Sequence, residues 1–250
     1  MRYKFILTIL FVQFALLLPP VHAQSSVNEV TRLSSGNILL ENFESYELGT
    51  IPDTWYNQKG ERRPALYDEE DKKGYRYKVI ENSGSKFLRY EGTEAKHLNF
   101  PLVNKGIDIY KTPILSWKWR VFELPDAANE NDDDRNDTAA SIYVVFDMGR
   151  VALFKKVPKS IRYTWSSSLE EGRELSKFYG NQKIVVVESG PERTGQWITF
   201  ERNIVEDYKR LFGDDPPENP LAILILSDGN STGSYVKADY DEIMLKQKSE

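Results

Sequence analysis

A dozen strand-length segments follow one another along this chain, at 37–43, 75–80, 86–91, 98–103, 113–122, 139–147, 151–155, 161–166, 183–188, 196–203, 221–227 and 234–245. They are rich in β-branched and aromatic residues, and many alternate apolar with polar side chains, the period of a half-buried strand. Turn residues punctuate them, as in Asn82-Ser83-Gly84, Ser189-Gly190-Pro191 and Asp228-Gly229-Asn230. Many short strands with few helices bury their apolar faces as two packed layers. The expected fold is therefore all-β, an antiparallel β-sandwich of jelly-roll type.

One helix interrupts the strands near residues 203–212. Asn203 is placed to cap its start, with Glu206 three residues on. Lys209 and Arg210 fall in the last turn, and Gly213 stops it. Ile204, Tyr208 and Leu211 form an apolar stripe that packs on the sandwich.

At the N-terminus Arg2 and Lys4 flank an apolar run from Phe5 to Leu18, followed by Pro19-Pro20 and a small Ala23 before Gln24. This is the layout of a secretory signal, with cleavage expected after Ala23. The run is short for a membrane anchor, and the longest later apolar run, 221–226, cannot cross a bilayer. The expected organisation is a signal peptide at 1–23, a flexible mature N-terminus at 24–35 and one β-sandwich domain at 36–246. The mature protein is expected in the periplasm or outside the cell, with no stable membrane insertion. Its net charge of −5 becomes −7 once Arg2 and Lys4 leave, which argues against nucleic acid and anionic membranes as partners.

The chain has no cysteine, and His22 leaves with the signal, so His97 is the single histidine of the mature form. Thiol nucleophiles, Cys/His zinc sites and histidine-pair metalloprotease sites have no ligands, and a Ser-His-Asp triad would rest on His97 alone. Within A-K-H-L-N-F, His97 reads as an ordinary strand-edge residue.

In the segment I-L-S-W-K-W-R-V-F at 114–122, Leu115, Trp117, Trp119 and Val121 share one face, and Ser116, Lys118, Arg120 and Phe122 the other. Two readings of the tryptophans stand, a buried core pair and a stacking platform for sugar rings, with Trp55, Trp165 and Trp197 as further candidates. Sharing a face with Leu115 and Val121 favours burial. The opposite face then offers Arg120, whose guanidinium can clamp a carboxylate such as that of a uronic acid.

The acid-rich tract N-E-N-D-D-D-R-N-D at 129–137 lacks the glycine and closing glutamate of an EF-hand. It reads as a mobile, solvated loop, with Asp137 held at the start of the next strand. A structural calcium ion is instead expected where the first and last strands of a jelly roll approach, from Glu41, Asn42, Glu44, Asp239 and Asp241. The turn S-D-G-N-S-T-G brings Asp228 and Asn230 to the end of a buried strand, where loops often carry function.

W-K-W-R-V at 117–121, D-T-A-A-S-I-Y-V-V-F at 137–146, Tyr163-x-Trp165, the run W-I-T-F-E-R-N-I-V-E-D-Y from 197, Phe212-Gly213 and the S-D-G-N-S-T turn together resemble a bacterial exported family of unknown function. The resemblance covers most of the mature chain and supports the fold without implying an activity. Ser141 and Asn230 depart from it, standing where the family tends to carry a basic residue and a second aspartate. The opening N-F-E-S-Y-E-L-G-T-I-P-D-T-W and the closing A-D-Y-D-E-I-M-L also resemble concanavalin-like and galactose-binding-like jelly rolls, which often bind glycans and hold a structural calcium.

These readings converge on an exported, non-catalytic β-sandwich that binds carbohydrate or another cell-envelope ligand through Arg120, Asp137, Tyr163, Trp165, Asp228 and Asn230. Two alternatives remain open: a glycan-active hydrolase or lyase using paired carboxylates, and a structural interaction protein of the envelope.

Overall fold

The structure, a computed structural model, describes residues 30–57, 76–148, 150–152 and 155–248. The signal-like stretch at 1–23 and positions 24–29 lie outside the described residues. Strands β1 (Thr31–Arg32), β2 (Ile38–Glu41), β3 (Tyr77–Asn82), β4 (Ser85–Gly92), β5 (Lys96–Pro101) and β6 (Ile114–Glu123) come first. They are followed by β7 (Thr138–Asp147), β8 (Arg150–Ala152), β9 (Lys155–Lys156), β10 (Lys159–Ser166), β11 (Glu174–Lys177) and β12 (Gln182–Ser189). Then come β13 (Ile198–Asn203), helix α1 (Ile204–Phe212), β14 (Ala222–Asp228) and β15 (Val236–Lys246), with short 3-10 turns at Asp133–Arg135 and Phe178–Gly180.

The long strand β15 is the spine of one sheet. One of its edges pairs with β6, which carries β13 on its far side. Its other edge pairs first with β4, extended by β3, and then, past a bulge, with β2, extended by β1. Glu242 in that bulge has φ 47°, and the inserted residue bends the strand where it changes partner.

The second sheet runs β11-β12-β10-β7-β14-β5. The expected antiparallel sandwich is observed, with one parallel pairing in it, between β10 and β12. After β10 the chain crosses to the sheet edge, forms β11 there, and returns as β12 between the two. Neither β1 nor β11 shows in the strand pattern of the sequence. Both are short, polar edge strands with little apolar side chain to bury.

The two sheets meet through the faces that alternation selects. Leu115, Trp117, Trp119 and Val121 of β6 join Ala140, Ile142, Val144 and Phe146 of β7 and Ile161, Tyr163 and Trp165 of β10 in one buried cluster. Trp117 stacks on Tyr163 at 5.4 Å and on Phe200 at 5.7 Å, and meets Trp119 edge-on. With exposures of 1 % and 0 %, Trp117 and Trp119 are core residues and not a sugar platform. Helix α1 caps the sandwich as its punctuation requires: the Asn203 side chain accepts the Glu206 N–H at 3.1 Å, and Gly213 turns left-handed at φ 81°. Ile204, Val205 and Tyr208 are buried, and the Tyr208 ring packs edge-on against Phe146 at 4.6 Å.

Candidate functional site

The face of the second sheet that points away from the core is also buried, and its composition is mixed. Arg162 and Thr164 lie between the inward residues Ile161, Tyr163 and Trp165, so they project to the opposite side. Register pairs Ile184, Arg162, Tyr143, Leu224 and Asn99 in one row across five strands. The next row carries Val186, Thr164, Ser141, Leu226 and His97. Tyr143, Val145, Ala222 and Leu224 form an apolar cluster separate from the main core.

Arg162 anchors the polar part of this face. It is 2 % exposed and forms no ion pair among the described residues. Its Nε donates to Ser141 Oγ at 2.9 Å and its Nη1 to Asn136 Oδ1 at 2.9 Å. Ser141 Oγ donates in turn to Thr164 Oγ1 at 2.9 Å, and Thr164 is within 2.8 Å of Thr138 Oγ1. A buried guanidinium held only by neutral oxygens is uncommon, because burial without a counter-charge is costly. Its Cζ lies 5.8 Å from the centre of the Tyr143 ring. Burial pushes the Tyr143 phenol up, the Asp228 and Glu130 carboxyl groups add to that, and Arg162 works against it.

Three carboxyl groups surround the row. Asp137 is fully buried and accepts the Ser231 N–H at 3.1 Å, the Thr232 N–H at 2.7 Å and the Thr232 hydroxyl at 2.7 Å, which pins the turn after β14. Asp228, half-buried, takes the Asn230 N–H at 3.1 Å. Burial, together with the Asp137 charge beside it, pushes the Asp228 carboxyl up to about 7. Glu130 is fully buried too. Its Oε2 accepts the Ser166 hydroxyl at 2.7 Å, while among the described residues its Oε1 has no hydrogen-bond partner. The buried Oδ1 of Asn99, at the far end of the Tyr143 row, has none either. The acid-rich tract is thus not uniformly solvated: Asp133 and Asp134 face water, but Glu130 and Asp137 are interior.

Of the six residues expected to hold a ligand, Asp137, Asp228 and Asn230 come together here. Tyr163 and Trp165 do not. They are inward and fully buried, with Tyr163 donating to Asp207 at 2.8 Å and the Trp165 indole to Gly190 O at 2.9 Å. Arg120 lies on the outer face of the other sheet, bound to Asp239 at 2.7 Å.

The five residues expected to share a calcium ion do not form a ligand set. Glu41 accepts the Asn42 and Phe43 N–H groups at 2.9 and 2.8 Å, the Tyr46 hydroxyl at 2.8 Å and the Trp55 indole at 3.0 Å. Asp239 is held by Arg89 at 2.6 Å and by Arg120. Asn42 Oδ1 accepts the Glu44 N–H, Glu44 accepts the Lys86 N–H, and Asp241 accepts the Glu242 N–H. With their oxygens committed to protein donors, no group of three or more His, Cys, Asp or Glu side chains suited to a metal occurs among the described residues.

A family of proteins of unknown function, DUF3047, matches residues 63–244. The chain belongs to that family. A search of curated proteins returns no match. Among solved structures, the family 11 carbohydrate-binding module of the cellulosomal cellulase Lic26A-Cel5E of Clostridium thermocellum aligns over 87 % of this chain and 98 % of its own, with 13 % identity and a TM-score of 0.42. The same family 11 module in complex with a β-1,3-1,4-mixed-linked tetrasaccharide aligns over 86 % and 97 %, with 12 % identity and a TM-score of 0.38. A family 30 carbohydrate-binding module aligns over 81 % and 96 %, with 9 % identity and a TM-score of 0.41.

Sequence reasoning missed Arg162, Tyr143, Glu130 and Asn99. Arg162 sits in the alternating segment I-R-Y-T-W-S, where its parity opposite Ile161 and Tyr163 marks the outward face. Nothing local shows that this face is itself buried.

Proposed function

We propose that this DUF3047 protein is an exported, non-catalytic saccharide-binding protein, and that the sugar enters at the end of the second sheet's outward face where Asn136, Asp228 and Asn230 reach the surface, toward the buried row around Tyr143. The observation that carries the reading is the row around Tyr143. Among the described residues, a buried guanidinium without an ion pair and two buried oxygens without partners, Glu130 Oε1 and Asn99 Oδ1, accompany the apolar cluster of Tyr143, Val145 and Leu224 on and around one sheet face. Sugars present hydroxyls that donate and accept beside apolar C–H faces, and a mosaic of this kind complements both. The balance of Arg162 against the carboxyl groups of Asp137 and Glu130, with the Asp228 carboxyl pushed up to about 7, favours a neutral ligand. The absence of covalent chemistry in this reading is supported by the commitment of Asp137 to three donors of the turn after β14, whereas glycoside cleavage needs two available carboxyl groups opposed across roughly 5 to 10 Å.

Pull-down on insoluble cellulose, galactan, mixed-linked β-glucan and chitin tests this directly. Retention on at least one neutral polysaccharide is expected. Tyr143→Phe, which keeps the ring and removes the hydroxyl, is expected to weaken that binding about tenfold, the value of one hydrogen bond near charged groups. Retention on none of them would dismiss the reading. Export is a separate expectation: N-terminal sequencing of the processed protein should begin at Gln24, and an intact Met1 would count against it.

A further inference from the structure

The outer face of the β15 sheet carries a second row, independent of the Tyr143 site. Register aligns Lys78 of β3 with Arg89 of β4, Arg89 with Asp239 of β15, and Asp239 with Arg120 of β6. Trp197, just before β13, continues the row, with its ring 4.6 Å from the Arg120 guanidinium carbon. Four strand spacings make the row about 19 Å long. Within the row the two arginines share one carboxylate, while Lys78 pairs with Glu91 at 2.9 Å, on a chain whose net charge is −5.

The two arginines are held rigidly. Both chelate Asp239, Arg89 through Nε at 2.6 Å and Nη2 at 2.9 Å, Arg120 through Nε at 3.0 Å and Nη2 at 2.7 Å. Phe122 lies 5.1 Å from Arg89 and 4.7 Å from Arg120, so the rings fix the guanidinium planes from the side. Each arginine retains an Nη1 group with no acceptor among the described residues, while its side chain stays 17 % or 12 % exposed. Lys118 and Lys237 flank the row, and their closest carboxylates are 3.4 and 3.6 Å away. One carboxylate already satisfies half of each fork.

We propose that this row is a binding site for a linear, carboxylate-bearing polysaccharide, a polyuronate, whose carboxylates engage the free edges of Arg89 and Arg120 while a sugar ring packs against Trp197. Planar guanidinium forks match carboxylates in two-point geometry, which lysine cannot reproduce. A rigid straight row on a sheet face suits an extended chain. Because it shares no residue with the Tyr143 row, it stands or falls separately.

Binding of the mature protein to polygalacturonate, measured by affinity electrophoresis at low salt with dextran sulfate as the comparison polyanion, decides the question. Arg120→Lys keeps a positive charge opposite Asp239, so the fold is retained, but it removes the fork. About a tenfold loss for polygalacturonate with little change for dextran sulfate is expected, the value of one charge-assisted hydrogen bond. Trp197→Ala, at the row's end and outside the Asp239 clamp, should also weaken polygalacturonate binding, and Tyr143→Phe should leave it unchanged. No binding of polygalacturonate, equal losses for both polymers, or no loss in either row variant would overturn the assignment.

Discussion

Asp207→Ala is expected to cost about 3–5 kcal/mol of folding stability in urea unfolding, far more than its single position on the short helix suggests. One carboxylate there serves three donors from three elements: the Tyr163 hydroxyl of β10 at 2.8 Å, Arg202 of β13 at 2.6 Å and Arg210 of α1 at 2.6 Å. Burial raises its pKa, but the Arg202 and Arg210 guanidiniums outweigh that and hold the carboxyl below its usual range. Removing it strands a buried phenol in the core and leaves Arg202 unpaired while half-buried. Tyr163→Phe removes one of those donors without stranding a charge, and should cost about 1 kcal/mol. A loss below that for Asp207→Ala would show that the clamp does not tie the helix to the core.

The same residues show what was legible in advance. Alternation around Trp117 and Trp119 correctly assigned them to the core, because a period of two fixes which side chains share a face. The helix was legible for the same local reason, since Asn203 and Gly213 act through their own backbone neighbourhood. Asp137, Asp228 and Asn230 lie close together because they sit at strand ends and in the turn after β14. Tyr163 and Trp165 were assigned to a ligand from their pairing in sequence, yet their parity with Ile161 puts them inside.

What sequence could not provide was the second burial. Arg162, Thr164, Ser141 and Glu188 read as the wet side of a sandwich sheet, and each is 5 % exposed or less. The Asp239 clamp was hidden for another reason. It joins residues 150 and 119 positions apart, and only the pairing of β15 with both β4 and β6 brings Arg89 and Arg120 to one carboxylate. The oxygen-rich run K-A-D-Y-D suggested a cation, and a cation is what Asp239 holds, though it comes from arginine.

The protein should be more stable at pH 5 than at pH 8, by about 3 kcal/mol, from linkage of about 1.4 kcal/mol per pH unit for each net proton. Burial pushes both Asp228 and Asp241 up to about 7, Asp137 adding to the first and Glu242 and Glu44 to the second. Such a carboxyl binds its proton more tightly folded than unfolded, so its contribution is complete below about pH 4 and is lost as the pH rises through 7. His97 works in the opposite sense. Burial lowers it to about 4, so the unfolded chain takes up a proton below about 6.5 that the folded chain refuses. Between about pH 4 and 6.5 the histidine offsets one aspartate, leaving a net loss of one proton's worth per unit, and above 6.5 both aspartates act unopposed. Glu91 and Asp207, whose carboxyls are lowered by their cationic partners, act only at more acidic pH and leave this window unchanged. Asp228→Asn keeps an oxygen for the Asn230 N–H and removes the charge beside Asp137. It should therefore flatten the profile and stabilise the protein by about 4 kcal/mol at pH 8 and by about 1.5 kcal/mol at pH 5, where the unfolded carboxyl is already ionised. Urea unfolding at both pH values measures it, and a wild-type chain equally stable at the two, or a variant destabilised at pH 8, would show that the carboxyl is not held in its acid form by the fold.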